Sequence, residues 1–491
     1  MQLIQQRNRR KSSVEVRPEN INDRLQKSKK RMFGLKTGEK HSVVFGARFL
    51  WTTTALATAL WGCAPELAAP TAHSGTLNLE RIVAIGDSYF AGYADNALHR
   101  EAQTFSPAAI FAEQCRKVGA GAFKTPLTAE GPGLGTPILR NNARYVLKFG
   151  ATCKFFGGDT VELLPFPADS AGDANILQER IGAQGPYQNL ALPLMRAHEA
   201  TVKQLGDPSR FPQSNPYFWR FAPSTSASVL DAALEQRPTF AIVWVGAGDY
   251  LIYGAQGGVE PLPGLSLAYL TPPEQFRRGL DTLLRALSEA GVRMVVGNLP
   301  RIASLPVFRT IPFDTVRLSA EKALQLRQKW NADFRPGKNP LWVKDKSGAV
   351  RFMHPDELPL LTALDEIKCR FRGFDEPLED AFFLERSEIE AMNAAVEEYN
   401  RIIAELARKY GAPLADLNAL FKTMETGTPV DGMPMSMKFI EGGFFSLDGI
   451  HLTPRGNALV ANEFIKAANA GYGAAIPLAR PTEYRAVPFP K

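Results

Sequence analysis

Cysteine and histidine are scarce, four and six among 491 residues. None of Cys63, Cys115, Cys153 and Cys369 falls in a CxxC pair or beside histidines at metal-ligand spacing, so the sequence offers no structural zinc or cluster site. Long apolar runs are lacking too. The one uncharged stretch near the start, FLWTTTALATALWGC, ends at Cys63 and is too short for a comfortable membrane-spanning helix. An excess of positive charge is missing from the body of the chain. Residues 1–50 carry 13 Lys/Arg against 4 Asp/Glu, a net +9, whereas the whole chain carries +7, which leaves −2 for everything after residue 50. A near-neutral body has no electrostatic footprint for DNA or RNA, and no nucleic-acid partner is expected. No internal repeat is visible, which excludes solenoids and propellers.

The basic arm and the apolar stretch together read as an export signal over residues 1–62. Leu60, Trp61, Gly62 and Cys63 resemble a lipobox, in which the cysteine is lipidated and becomes the mature N-terminus. That reading places the protein in the cell envelope, anchored to the membrane by lipid. The alternative is an ordinary signal peptide cleaved after Ala72, giving a soluble periplasmic or secreted protein. The arm is long for a signal, and Met32 offers a later start. Export implies an oxidising compartment. With Cys63 set aside, the odd count left allows at most one bridge, and Cys115 and Cys153 are the nearer pair in sequence.

After a linker over 63–78, one domain is expected over 79–490. RIVAI at 81–85 and TFAIVWVGAGD at 239–249 are apolar runs of the kind that parallel sheets bury on both faces. QNLAL at 188–192, VRMVVGNLP after residue 291 and PLADL at 413–417 read as further strands. Helices are predicted over 106–118, with Ser-Pro as N-cap and first residue, and over 273–291, 385–411 and 453–471. The alternation predicts an α/β fold, a parallel sheet with helices on both faces. Residues 119–186 and 335–380 lack periodicity and read as long loop insertions that wall a pocket.

VAIGDSYFAG at 83–92 puts Asp87 and Ser88 at the carboxyl end of the first strand, where such sheets place their sites. Both residue types cap helices well, so capping alone would explain them. A nucleophilic serine needs a histidine oriented by a third group. His41 lies in the basic arm, His73 in the linker, His99 and His354 in polar loops, and His198 in a helical stretch. His451 stands apart, in SLDGIHLTPRG, with Asp448 three residues upstream and a helix just downstream. Gly-x-Ser-x-Gly is absent, since Phe90 fills the last glycine's place, which excludes the α/β-hydrolase elbow.

GDS after the first strand and DxxH before the last helix resemble the GDSL, or SGNH, hydrolase superfamily, and the resemblance extends over residues 78–490. NPYFWRFA, TFAIVWVG, GNLPRIASLPVF and AIPLARPTEY are similar to bacterial secreted or lipid-anchored members. The resemblance implies a flavodoxin-like three-layer α/β/α sandwich and ester hydrolysis through an acyl-enzyme, without metal or organic cofactor. It implies that Ser88 is the nucleophile, His451 the base and later the acid, and Asp448 its orienter, with the Ser88 N–H as first oxyanion donor. The expected substrate is a small-molecule, lipid or glycan ester, and the protein a monomer. Two positions depart from the pattern. In NLALPL, Leu194 stands where glycine is usual, and in Gly246-Ala247-Gly248-Asp249, Gly248 stands where an oxyanion-binding asparagine is usual. The oxyanion hole is therefore expected to be incomplete. Asn189, Tyr250 or a water are candidate substitutes, and Asp249 is expected to hold the loop by accepting backbone hydrogen bonds. The competing reading is a catalytically weakened member that binds an acylated glycan or lipid.

Overall fold

The computed structural model describes residues 71–135, 143–149, 163–167, 172–259 and 269–488. The basic arm, the apolar stretch, the lipobox-like residues 60–62 and Cys63 lie outside them. Among the described residues no helix is long and apolar enough to cross a membrane.

Four strands form the central sheet: β1 (Ile82–Gly86), β2 (Phe240–Trp244), β3 (Arg293–Gly297) and β4 (Leu414–Ala415). They lie side by side in the order β1-β2-β3-β4, all parallel, with Ile82 opposite Phe240 and Gly86 opposite Trp244. Every residue of β1 and β2 is buried, as an unbroken apolar run requires when both faces are covered. The strand expected at 188–192 survives as one parallel bridge, Ala84 to Asn189, on the free edge of β1. The Leu190 N–H donates to the Ala84 carbonyl at 2.9 Å and the Leu192 N–H to that of Gly86 at 3.0 Å. With this segment counted second in chain order, the order is 2-1-3-4-5, the flavodoxin-like winding.

Helices cover both faces. α1 (Ser88–Ala91) follows β1 directly, and α2 (Pro107–Arg116) starts where Ser106 accepts the Ala109 N–H at 3.3 Å with Pro107 as first residue. α3 (Gly248–Gly254) follows β2, then α4 (Pro273–Glu289), α5 (Arg386–Lys409), α6 (Leu417–Thr426) and α7 (Pro454–Tyr472). α2 packs on α7, and α4 on α5. Phe111 of α2 stacks on Phe240 at 6.0 Å, and Phe464 of α7 meets Trp244, so alternate residues of β2 face this layer. In the other layer Phe276 of α4 stacks on Tyr399 of α5 at 4.4 Å. Burying one such ring contributes about 1.5–3 kcal/mol.

Residues 335–380 are not the irregular insertion their composition suggests. Trp342–Lys344 pairs antiparallel with Val350–Phe352 and parallel with Leu378–Glu379, and a helix runs Ala363–Arg370. Phe334, Leu341, Trp342, Val343 and Phe383 bury a second core there, separate from the one around the sheet. Strands of two or three residues are too short to show an alternation. The stretch 119–186 is closer to expectation: its described parts are loops and single turns around one antiparallel pair, Tyr145–Phe149 with Leu163–Pro167. The nearer cysteine pair is not the bridged one. Cys115 is a free thiol buried in α2, pushed far up by burial, while Cys369 is disulfide-bonded.

Candidate active site

β1 ends at Gly86, where a β-carbon would stand 2.7 Å from that of Phe90 and 2.9 Å from the Trp244 carbonyl oxygen. The chain can turn here only without a side chain. Asp87 follows in an extended conformation and caps α1, accepting the Tyr89 N–H at 3.2 Å, while its second oxygen accepts the Ala247 N–H beyond β2 at 2.9 Å. Capping is therefore the work of Asp87, and the Ser88 hydroxyl is left free for other partners. Asp87 is fully buried. Burial pushes its carboxyl up to about 6, against the pull of the Ala247 and Tyr89 N–H groups.

The other half of the site is the loop before α7. Phe445 and Leu452 bridge across it, and the Ser446 N–H donates to the His451 carbonyl at 2.8 Å. Gly449 turns the loop at φ 69°, where a β-carbon would meet the Val307 nitrogen at 2.9 Å. This fold-back aims the Asp448 carboxylate at its own loop. One oxygen accepts the N–H groups of Ile450 at 2.9 Å and His451 at 2.8 Å, and the other faces His451 Nδ1 at 2.9 Å. Burial would raise the Asp448 carboxyl, but the neighbouring His451 and these hydrogen bonds outweigh it and hold it down at about 2. His451 Nε2 then lies 2.8 Å from Ser88 Oγ. The rings of Tyr89 and Tyr93 flank the imidazole at 5.2 and 4.8 Å, each tilted by 50°, and the Tyr89 hydroxyl donates to the Ile450 carbonyl at 3.0 Å. The sequence-predicted Ser88, His451 and Asp448 are thus in one hydrogen-bonded line, although Ser88 and His451 are 363 residues apart.

The rim differs from expectation at several residues. Leu194 has φ 65°, a left-handed conformation that favours glycine and costs another residue roughly 1–2 kcal/mol. Its half-buried side chain packs on the main core. Gly248, the first residue of α3, faces the next turn of that segment: a β-carbon there would overlap the Met195 carbonyl, whose carbon is 2.9 Å away. Asn189 does not stand in for the asparagine that Gly248 replaces. It is buried, its amide donates to the Phe90 carbonyl at 2.9 Å, and its oxygen accepts the Ala191 N–H at 3.2 Å. Tyr250 is equally committed, donating to the Pro300 carbonyl at 2.6 Å. Asp249 holds the segment by accepting the Ala197 N–H at 2.8 Å, and burial pushes its carboxyl up to about 7. Among the described residues, the backbone N–H groups of Ser88, Leu194 and Gly248 find no acceptor.

Sequence reasoning missed Tyr93, Asn96 and Ser446. The Asn96 N–H donates to Asp448 at 3.0 Å across 352 residues. Asp95-Asn96 is legible as a turn dipeptide, but nothing local says where the turn lands.

No curated protein matches the chain. Among solved structures it is similar to a GDSL-like lipase candidate from Parabacteroides merdae, at 12% identity over 80% of this chain and 99% of that one, TM-score 0.29. It is similar to LAE5, an alpha/beta hydrolase enzyme from the metagenome of Lake Arreo, Spain, at 11% identity over 80% and 96%, TM-score 0.33. An SGNH hydrolase candidate from Slackia heliotrinireducens is similar at 12% identity over 79% and 99%, TM-score 0.28. TM-scores this low add nothing to the family. The sequence itself does: residues 82–464 match GDSL-like Lipase/Acylhydrolase. That match spans well over half of the sequence, and the chain belongs to the GDSL-like lipase/acylhydrolase family of ester-bond hydrolases.

Proposed function

We propose that the protein is a serine esterase whose nucleophile is Ser88. The observation that carries this is the unbroken line from Ser88 Oγ through both imidazole nitrogens of His451 to Asp448. With Asp448 ionised, Nδ1 keeps its proton and donates a hydrogen bond to the carboxylate, which leaves Nε2 as the acceptor of the serine proton. As Oγ bonds to the ester carbonyl carbon, Nε2 takes its proton, and the imidazolium is stabilised by Asp448. Collapse of the tetrahedral intermediate breaks the bond to the alcohol, which leaves with the proton from Nε2. Water then repeats the sequence on the acyl-enzyme and releases the acid.

The unpaired N–H groups of Ser88 and Leu194 are the oxyanion donors in this reading, and Gly248 contributes no side chain. Loss of one such donor costs about 10²–10³ in turnover. That is the observation favouring the second reading, a weakened enzyme that holds an acylated glycan or lipid. Labelling with a fluorophosphonate separates the two. A working esterase is labelled at Ser88 and the Ser88→Ala variant is not; a binding protein leaves both unlabelled. We further propose that the protein is exported and lipid-anchored at Cys63, a reading supported by the basic arm and the lipobox-like Leu60 to Cys63.

A further inference from the structure

A short hairpin, Tyr93–Ala94 against Ala97–Leu98, carries Asp95 and Asn96 at its tip, with φ 53° and 64°. Two successive positive φ values are what a two-residue type I′ turn needs, and Asp and Asn tolerate them better than most residues. The tip lands on the loop that bears Asp448. The Asn96 N–H donates at 3.0 Å to the Asp448 oxygen that faces His451. The Leu447 N–H donates to Asp95 Oδ1 at 3.0 Å, and the Asp95 N–H donates to Ser446 Oγ at 3.1 Å. The Ser446 hydroxyl in turn donates to the other Asp448 oxygen at 3.2 Å. Behind the tip, Arg144 donates to Asp95 Oδ2 at 3.2 Å. His99 lies 3.9 Å from the same oxygen, and burial pulls its imidazole down to about 3, so it is neutral there.

We infer that Asp95 is a positioning residue for Asp448, an inference that rests on the reading of Ser88, His451 and Asp448 as the catalytic line. Asp95 touches no reacting atom. Its carboxylate fastens Leu447, its N–H fixes the Ser446 oxygen so that the hydroxyl proton points at Asp448, and the turn it opens delivers the Asn96 N–H. The carboxylate oxygen that meets His451 is thereby fixed by a donor from outside its own loop. Such outer contacts set whether a catalytic group is held or free to rotate.

The test uses the full chain and compares Asp95→Ala, which removes the acceptor of the Leu447 N–H, and Ser446→Ala, each alone and in an Asp448→Asn background, by the rate of fluorophosphonate labelling and by kcat and KM on an aryl ester. Ser446→Ala serves if Asp95→Ala fails to fold. Each single variant is expected to lose about tenfold in kcat with KM unchanged, the scale of one misaligned hydrogen bond. The His451 Nδ1–H proton signal in histidine-labelled protein is expected to broaden. With Asp448 already neutral, neither variant costs anything more, because its route to His451 is cut. Additive losses in the double variants, or unchanged kcat in both singles, overturn the inference while leaving the catalytic line intact. Full turnover in Asp448→Asn alone would instead overturn the catalytic reading itself.

Discussion

The carbonyl of Met195 occupies the place that a side chain on Gly248 would take, with its carbon 2.9 Å from where a β-carbon would stand. A glycine where an oxyanion-binding asparagine is usual would, on its own, leave a volume open to substrate or to a restored donor. The structure fills that volume with backbone. Gly248→Asn is therefore expected to lower activity and stability together. Even Gly248→Ala should cost about 1–3 kcal/mol, the usual cost of overpacking. Thermal melting and turnover on an aryl ester decide this, and a gain in turnover with an unchanged melting temperature would show that the Met195 segment yields.

Ser88 and Asp87 have opposite duties, and their substitutions should separate. Ser88→Ala is expected to abolish labelling and turnover with little change in melting temperature, since no backbone group depends on its hydroxyl. Asp87→Ala leaves the Tyr89 and Ala247 N–H groups without their acceptor and should destabilise by about 2–3 kcal/mol. Equal melting temperatures for the two variants would contradict this division.

Asp448→Asn should keep the fold and lower kcat by about 10⁴, through loss of tautomer control and of the imidazolium's partner. Its carboxylate, depressed to about 2, contributes stability that is present above the unfolded value of 3.8 and is lost as pH falls through about 2. The acid limb of unfolding should therefore move to higher pH in the variant. An identical limb would mean that Asp448 is not held as an anion.

Buried Asp249 works in the opposite direction. Its folded value, about 7, lies above the unfolded 3.8, so between these pH values the folded state binds a proton that the unfolded state has released. Stability then falls as pH rises from about 4 to about 7 and is flat above. Asp87, at about 6, adds to the same slope. Melting temperatures measured across this range should fall less steeply in Asp249→Asn, where the Ala197 N–H keeps an acceptor. An unchanged slope would assign it to other groups.

The N-terminal proposal has its own measurement. Mass spectrometry of the protein from the membrane fraction is expected to find a chain beginning at Cys63 with attached lipid. A soluble chain beginning after Ala72 would refute it.

The parts of the fold that could be read from sequence are those with enough length to show a pattern. The unbroken apolar run of β2 and the 24-residue α5 are legible because burial imposes a pattern over many residues. The second core around Trp342 was hidden, since strands of two or three residues carry no period. The meeting of Ser88, Asp448 and His451 was legible because the family pattern fixes residue type and local spacing at these positions. Asn96 was not, because it acts through its backbone N–H, which every residue but proline possesses. Gly248 could be seen to differ from the expected asparagine, but its reason lies in a chain segment more than fifty residues earlier.

Asp87 accepts one N–H from the helix that carries Ser88 and one from the chain just beyond the neighbouring strand. Ser88, the proposed nucleophile, is in effect mounted on the sheet and not on a loop. Its position is set by β1 and β2, whose residues are all buried, and buried core strands are the last parts of a fold to open. Loops that leave the sheet elsewhere can be lengthened, shortened or replaced in the course of divergence without moving the Ser88 oxygen.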